Sequence, residues 1–237
     1  DLMYGLPNQT MVEWVETLNC AIGLQSEHIS AYCLTLEGGT PMEKQVQQGH
    51  LPTPDPDLAA EMYLETINLL KNHGYIHYEI SNWAQKDKYS SHNLKYWGNE
   101  MYLGVGPKAH SYLDQYRFYQ VKSPKAYINK VHEWEETVCA PGQNIDSTIL
   151  SGVPVIESFE YIDKKLEMSE TIFLGLRLLK GLDLVKFQER FGFDLISAFM
   201  PEVKELSELG LVEQINGNLK LTTKGLMLSN QVFVKFM

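Results

Sequence analysis

Apolar positions recur along this chain with two different periods, and the alternation between them predicts its elements. Val12, Val15, Leu18, Ala21 and Ile22 repeat at helical spacing, which predicts a helix from Met11 to Gly23. Thr10 stands at its N-cap, and Glu13, three residues on, completes a capping box. His28 to Leu36 is β-branched and aromatic and reads as a strand, broken by Gly38-Gly-Thr-Pro41. A Pro-rich stretch, Pro52 to Pro56, leads into a helix over 57–72 that Gly74 ends, and Tyr75 to Ile80 follows as a strand. With Asp1-Leu-Met-Tyr as a strand end, this rhythm predicts parallel βαβ units. Residues 81–121 read as loops dense in aromatic residues, which must pack onto something or around a ligand. A short helix is expected over 125–136 and an irregular segment over 137–160.

The remainder reads as helices ending in a hairpin. Ser169 is expected to cap a helix running to Leu179, with Gly181 as its stop. Further helices are expected over Leu184–Phe191 and Leu195–Leu209. Asn216-Gly217 between two alternating apolar runs is the strongest short-range hairpin signal, predicting strands over 210–215 and 218–222. A final helix is expected from Thr223 to Phe236, so this half has winged-helix grammar. The fold class expected is α/β in its first part and α+β overall.

Composition narrows the function classes. The formal net charge is −10, which opposes a general nucleic-acid role because phosphate binding needs a positive field. Over the second and third of these helices Lys186, Arg190 and Lys204 face Asp183, Glu189, Asp194, Glu202, Glu205 and Glu208, an acidic balance for a recognition helix. No apolar run reaches the roughly 18 residues of a membrane span. Cys20, Cys33 and Cys139 show neither disulfide nor metal-ligand spacing, which fits a reducing cytoplasm. The abrupt opening on a buried strand leads us to expect a piece of a longer protein.

Four segments carry a family resemblance. Asp1-Leu-Met-Tyr-Gly-Leu-Pro-Asn-Gln-Thr10, Tyr75-x-x-Tyr-Glu-Ile-Ser-Asn82, His92-Asn-Leu-Lys-Tyr-Trp97, and Tyr102-Leu-Gly-Val-Gly106 with Ala109-His-Ser111 resemble successive blocks of the oxygen-independent coproporphyrinogen III oxidase-like family of radical-SAM proteins. The six-residue His92–Trp97 block resembles its HemW-type heme-chaperone branch, and Leu176-Arg, Phe187-x-x-Arg-Phe-Gly192 and Leu226-x-x-Ser-Asn230 resemble the family's C-terminal domain. Pro107-Lys108 departs from the small residues usual there.

The resemblance implies the last strands and helices of a partial (β/α) barrel with an aromatic extension over 1–115, a helix and linker over 116–166, and a winged-helix-like domain over 167–237. It implies heme binding and delivery to a heme-accepting protein as the leading function. Radical decarboxylation of coproporphyrinogen III is the alternative, and a winged-helix nucleic-acid module is a third reading. It implies S-adenosylmethionine and a [4Fe–4S] cluster in the full-length protein. The cluster's C-x-x-x-C-x-x-C spacing is absent here, since Cys20 and Cys33 lie 13 positions apart, so enzymatic turnover by this segment alone is not expected. Asp1, Ser30, Ala31 and Tyr32 would face the S-adenosylmethionine cleft. His92 would ligate heme iron, with Tyr96 and Trp97 against the macrocycle, and His110 is the second candidate. Glu79 and Asn82 read as polar anchors at a strand end, and Gly104 and Gly106 as sites of close backbone approach or positive φ.

Overall fold

A computed structural model describes residues 1–134 and 145–237. Cys139 and part of the expected irregular segment lie outside the described residues. The chain divides into two compact units, residues 1–90 with 176–232, and residues 91–175 with 233–237.

The first unit begins with β1 (Leu2–Tyr4), α1 (Met11–Gly23), β2 (His28–Cys33), α2 (Pro41–Gln47), α3 (Pro56–Asn72), β3 (Ile76–Glu79) and β4 (Asn82–Ala84). The capping box forms as the sequence predicts: Glu13 N–H donates to Thr10 Oγ1 (3.3 Å), and Thr10 N–H donates to the Glu13 carboxylate (2.8 Å). α1 buries Trp14, whose indole N–H donates to Thr66 Oγ1 (2.9 Å) and the Met62 carbonyl (3.1 Å) of α3. β1 and β2 pair in parallel, Leu2 with Ala31 through Tyr4 with Cys33, which is the expected βαβ unit.

The rhythm departs from expectation at the third strand. β3 folds back at Ile80-Ser81 into β4, and it is β4, antiparallel, that lies beside β2, giving the order β1-β2-β4-β3. That turn contains no Gly, Pro, Asn or Asp, and β4 is three buried residues with no alternation to read. Gly38-Gly-Thr-Pro41, expected only to break a strand, opens α2. Thr40 Oγ1 accepts from Glu43 N–H there, and Pro41 sits in the first turn, where its missing N–H costs nothing.

The second unit holds α4 (Ser91–Trp97), β5 (His110–Leu113), β6 (Tyr116–Gln120), α5 (Pro124–Glu133), α6 (Ser147–Gly152), β7 (Ile156–Tyr161) and α7 (Lys164–Leu176). β5, β6 and β7 form an antiparallel sheet in that order. The stretch read as loop thus contains a helix and a hairpin. The hairpin turns at Asp114-Gln115, both at positive φ (46° and 67°), a turn without the glycine that would have announced it. α7 starts five residues before the expected Ser169 cap. Asp163 accepts from Leu166 N–H (2.8 Å), and Ser169 lies buried inside the helix.

The first unit resumes with β8 (Leu182–Asp183), α8 (Leu184–Phe191), α9 (Leu195–Ala198), α10 (Met200–Glu208), β9 (Val212–Ile215), β10 (Asn218–Leu221), α11 (Thr223–Met227) and α12 (Ser229–Val234). Asn216 (φ 52°) and Gly217 (φ 77°) turn the predicted hairpin, to which β8 adds a third strand. Two expected long helices are each broken in two. Phe199 separates α9 from α10, where Pro201 occupies the first turn and cannot continue a preceding helix. No helix among the described residues is long and apolar enough to cross a membrane.

Candidate functional site

α4 carries the candidate residues of the second unit. His92 and Tyr96 are one helical turn apart, which sets them on the same helix face. The exposed His92 imidazole stands edge-on to Tyr96 (centroids 4.8 Å, 88°), and Tyr96 is edge-on to Tyr102 (4.7 Å, 74°). Behind this ladder lies a cavity of about 240 Å3 lined by Tyr96, Trp97, Asn99, Glu100, Tyr102, Tyr112, Arg117 and Leu174. Burial pushes the Tyr102 phenol above its ordinary range, so it stays neutral.

Arg117 was not foreseen as part of this site. It binds the buried Glu170 carboxylate through both oxygens (2.7 and 2.8 Å), reaches Glu160 at 3.2 Å, and lies 5.9 Å over the Tyr112 ring. Asn99, at φ 48°, donates through Nδ2 to Thr171 Oγ1 (3.0 Å), tying the end of the α4 segment to α7. The cavity wall is therefore held by a charge-assisted ion pair, in which one guanidinium nitrogen contacts both carboxylate oxygens, and by an amide contact.

The glycine-rich segment separates the two roles expected of its glycines. A Cβ at Gly104 would sit 2.2 Å from the His110 carbonyl oxygen, so Gly104 serves close approach, whereas Gly106 takes φ +108°. One amide clamps both: Gln120 Nε2 donates to the Gly104 carbonyl (2.9 Å) and Gln120 Oε1 accepts from Gly106 N–H (3.0 Å). Lys108, at the point of departure from the family pattern, adopts φ 64° and donates its backbone N–H to Val121 (3.1 Å). His110 is exposed and tilted against Tyr119 (5.3 Å). Met101, Leu103 and Val105 stand exposed on the same segment.

In the first unit, strand alternation sorts the remaining candidates. Tyr4 packs on Trp14 and Tyr63, and Trp83 on Tyr63, which defines the helix-covered face of the sheet. Ala31 shares that face, 1% exposed, and its N–H donates to the Ser81 carbonyl (2.9 Å). Ser30 and Tyr32 point to the other face, with Met3 beside Tyr32 and Asn82 beside Ser30. Asp1 is exposed at the head of β1.

Glu79, fully buried, finds its partners here. Its carboxylate accepts from Ser81 N–H (3.0 Å) and the Asn82 amide, and Arg177 stands 3.5 Å away. Residues 177–179 run antiparallel along β3 and deliver that arginine: Ile80 N–H donates to the Arg177 carbonyl (3.1 Å) and Leu179 N–H to Tyr78 (3.0 Å). Burial raises the Glu79 carboxyl above its ordinary range, against the pull of Arg177. Asn82 Oδ1 is buried without a hydrogen-bond partner. Among the described residues no group of three His, Cys, Asp or Glu could hold a metal ion, and Cys20 and Cys33 are free thiols on separate elements. The described cysteines thus do not fit an iron–sulfur cluster.

Comparison with known proteins agrees with this architecture. The family model of the HemN C-terminal domain matches residues 162–228. The chain is 35% identical over 237 residues to the heme chaperone HemW of Bacillus subtilis (strain 168), covering all of this chain and 58% of that protein. It is 33% identical over 243 residues to the radical S-adenosyl methionine domain-containing protein 1, mitochondrial, of Bos taurus, covering 52% of that protein. The chain thus spans about half the length of these curated relatives. The solved structure of coproporphyrinogen III oxidase (HemN) from Escherichia coli, a radical-SAM enzyme, superposes with a TM-score of 0.72 at 20% identity, covering all of this chain and 54% of that one. At that identity the likeness is one of fold.

Proposed function

The chain belongs to the radical-SAM family of HemN- and HemW-like proteins, and on that premise we propose that it supplies the heme-binding part of a heme chaperone. His92 ligates the iron, and Tyr96 and Trp97 meet the macrocycle. The observation that carries this reading is the arrangement on α4, an exposed imidazole edge-on to Tyr96, whose ring lines an aromatic cavity. A neutral imidazole is a common axial ligand, and heme needs apolar surface beside it. At about 240 Å3 the cavity takes an edge of a macrocycle rather than the whole ring, so heme lies across the α4 surface, open to transfer to an accepting protein.

S-adenosylmethionine, in this reading, meets the face of the sheet opposite its helix-covered side, bearing Asp1, Ser30 and Tyr32, with Ala31 contributing only backbone. The orphaned Asn82 Oδ1 on that face is a ready acceptor for a ligand's donor. The cluster belongs to residues outside those described. The acidic balance of α8 to α10 favours a protein-contact role for that domain over nucleic-acid binding, and the free thiols of Cys20 and Cys33 suit the cytoplasm.

Equilibrium titration of ferric heme into the full-length protein tests the proposal. His92→Ala is expected to weaken binding at least tenfold and Trp97→Ala to weaken it less. An affinity untouched by both substitutions contradicts it.

A further inference from the structure

A larger cavity, about 370 Å3, opens in the first unit at the C-terminal ends of the parallel strands β1 and β2. Tyr4 and Cys33 close those strands, Ala60 and Tyr63 come from α3, Asn230 from α12, and Arg177 follows α7. His92, Tyr96 and Trp97 do not line it. We propose that this cavity binds a carboxylate carried on a flat apolar body, with Arg177 as the anchoring cation.

The charge pattern comes first. Arg177 is the one charged side chain among the described residues lining the cavity. Its counter-charge, Glu79, lies behind it at 3.5 Å, fully buried and outside the lining. Glu79 is itself fixed by Ser81 N–H and the Asn82 amide, so a fixed negative charge stands on the protein side of the guanidinium. A guanidinium carries five N–H donors in a rigid fork. One oriented by a fixed counter-charge loses less side-chain freedom on binding a second planar anion. A carboxylate is the planar anion that matches the fork, and its charge-assisted hydrogen bonds offset the water it gives up.

Shape then limits what carries the carboxylate. Tyr4 and Tyr63 lie nearly parallel, 15° apart with centroids at 6.4 Å, on the strand and α3 sides of the cavity. The space in front of them exists because α3 presents Ala59 and Ala60 there instead of large side chains. The wall also includes apolar Ile80, Leu226 and Met227, polar Ser81 and Asn230, and Tyr32, the residue assigned above to the S-adenosylmethionine face. Such a cavity, mostly apolar with a few convergent polar groups, orients a ligand through one charged contact. Its volume suits a single ring. The mouth formed by the ends of parallel strands is also where ligands collect in folds of this class. Two sources share this chemistry: a free small carboxylic acid, and a propionate arm of a tetrapyrrole. The site stands whether or not His92 binds heme.

The test uses 3-phenylpropionate and its uncharged counterpart 3-phenylpropanol, titrated into the full chain and followed through the methyl resonances of Ile80, Leu226 and Met227. The carboxylate is expected to bind at least tenfold more tightly than the alcohol, with Arg177→Gln abolishing that preference. Because Arg177→Gln also strips Glu79 of its buried cation, Ala60→Phe serves as the second variant. It fills the cavity from α3 and leaves the ion pair in place, and it is expected to abolish binding of both probes. Protoporphyrin IX against its dimethyl ester forms the other arm. Discrimination only in the porphyrin pair assigns the site to a propionate arm, and discrimination in the phenylpropyl pair assigns it to free carboxylates. Equal affinity of acid and uncharged partner in both arms, or binding that survives Ala60→Phe, overturns the proposal.

Discussion

Acidification should weaken this fold through one histidine. His77 on β3 lies flat on Trp83 (centroids 4.3 Å, 7°) and edge-on to Tyr63 (6.0 Å), with Nε2 3.2 Å from the Ile80 carbonyl. Burial holds its imidazole at about 4, against an ordinary 6.5, and the hydrogen bonds to backbone carbonyls only partly offset that. A base whose folded-state pKa is depressed contributes stability that is present above its unfolded value and lost as the pH falls toward the folded one. The window is therefore pH 6.5 down to about 4. The full separation corresponds to about 3 kcal/mol, of which about 2 kcal/mol is gone by pH 5. His77→Phe keeps the ring stack and removes the titration, and the Ile80 carbonyl retains its bond from the Tyr63 hydroxyl (2.9 Å). Buried Glu79, with its raised pKa, acts in the opposite sense and is common to both proteins, so the difference between them isolates His77. Urea unfolding followed by circular dichroism at pH 7.5 and pH 5 should show wild type losing about 2 kcal/mol relative to His77→Phe. A difference constant to within about 0.5 kcal/mol across that range refutes the reasoning.

Three further outcomes follow from packing and charge. Arg117→Met strands the buried Glu170 carboxylate and should cost about 3–5 kcal/mol in urea unfolding, whereas Arg117→Met with Glu170→Leu should recover most of it. Gly104→Ala forces a methyl group against the His110 carbonyl and should cost about 1–3 kcal/mol, with backbone amide shifts centred on residues 104–111. Duplex DNA should bind no better than it binds any acidic protein of this size, checked by fluorescence anisotropy at low salt.

Local signals were legible because they act over a few residues. The Thr10–Glu13 box and the Asn216-Gly217 turn state their geometry in adjacent side chains, and both form as read. The β3–β4 reversal is nearly silent because Ile80-Ser81 carries no Gly, Pro, Asn or Asp, and the order β1-β2-β4-β3 depends on pairing between distant segments. The same limit divides the candidate site. His92 and Tyr96 meet because helical spacing dictates it. The Arg117–Glu170 clamp joins residues 53 positions apart, and nothing around Tyr116-Arg117-Phe118 announces its partner. Glu79 was readable as an anchor needing a partner; only the run of 177–179 along β3 identifies Arg177.

The central claim is that the α4 imidazole holds heme iron, and the absorption spectrum of ferric heme bound to the full-length protein tests it most directly. Wild type should show an imidazole-ligated Soret band. His92→Ala should lose it and regain it on adding free imidazole, while His110→Ala should match wild type. A Soret band unchanged in His92→Ala, or lost only in His110→Ala, contradicts the account.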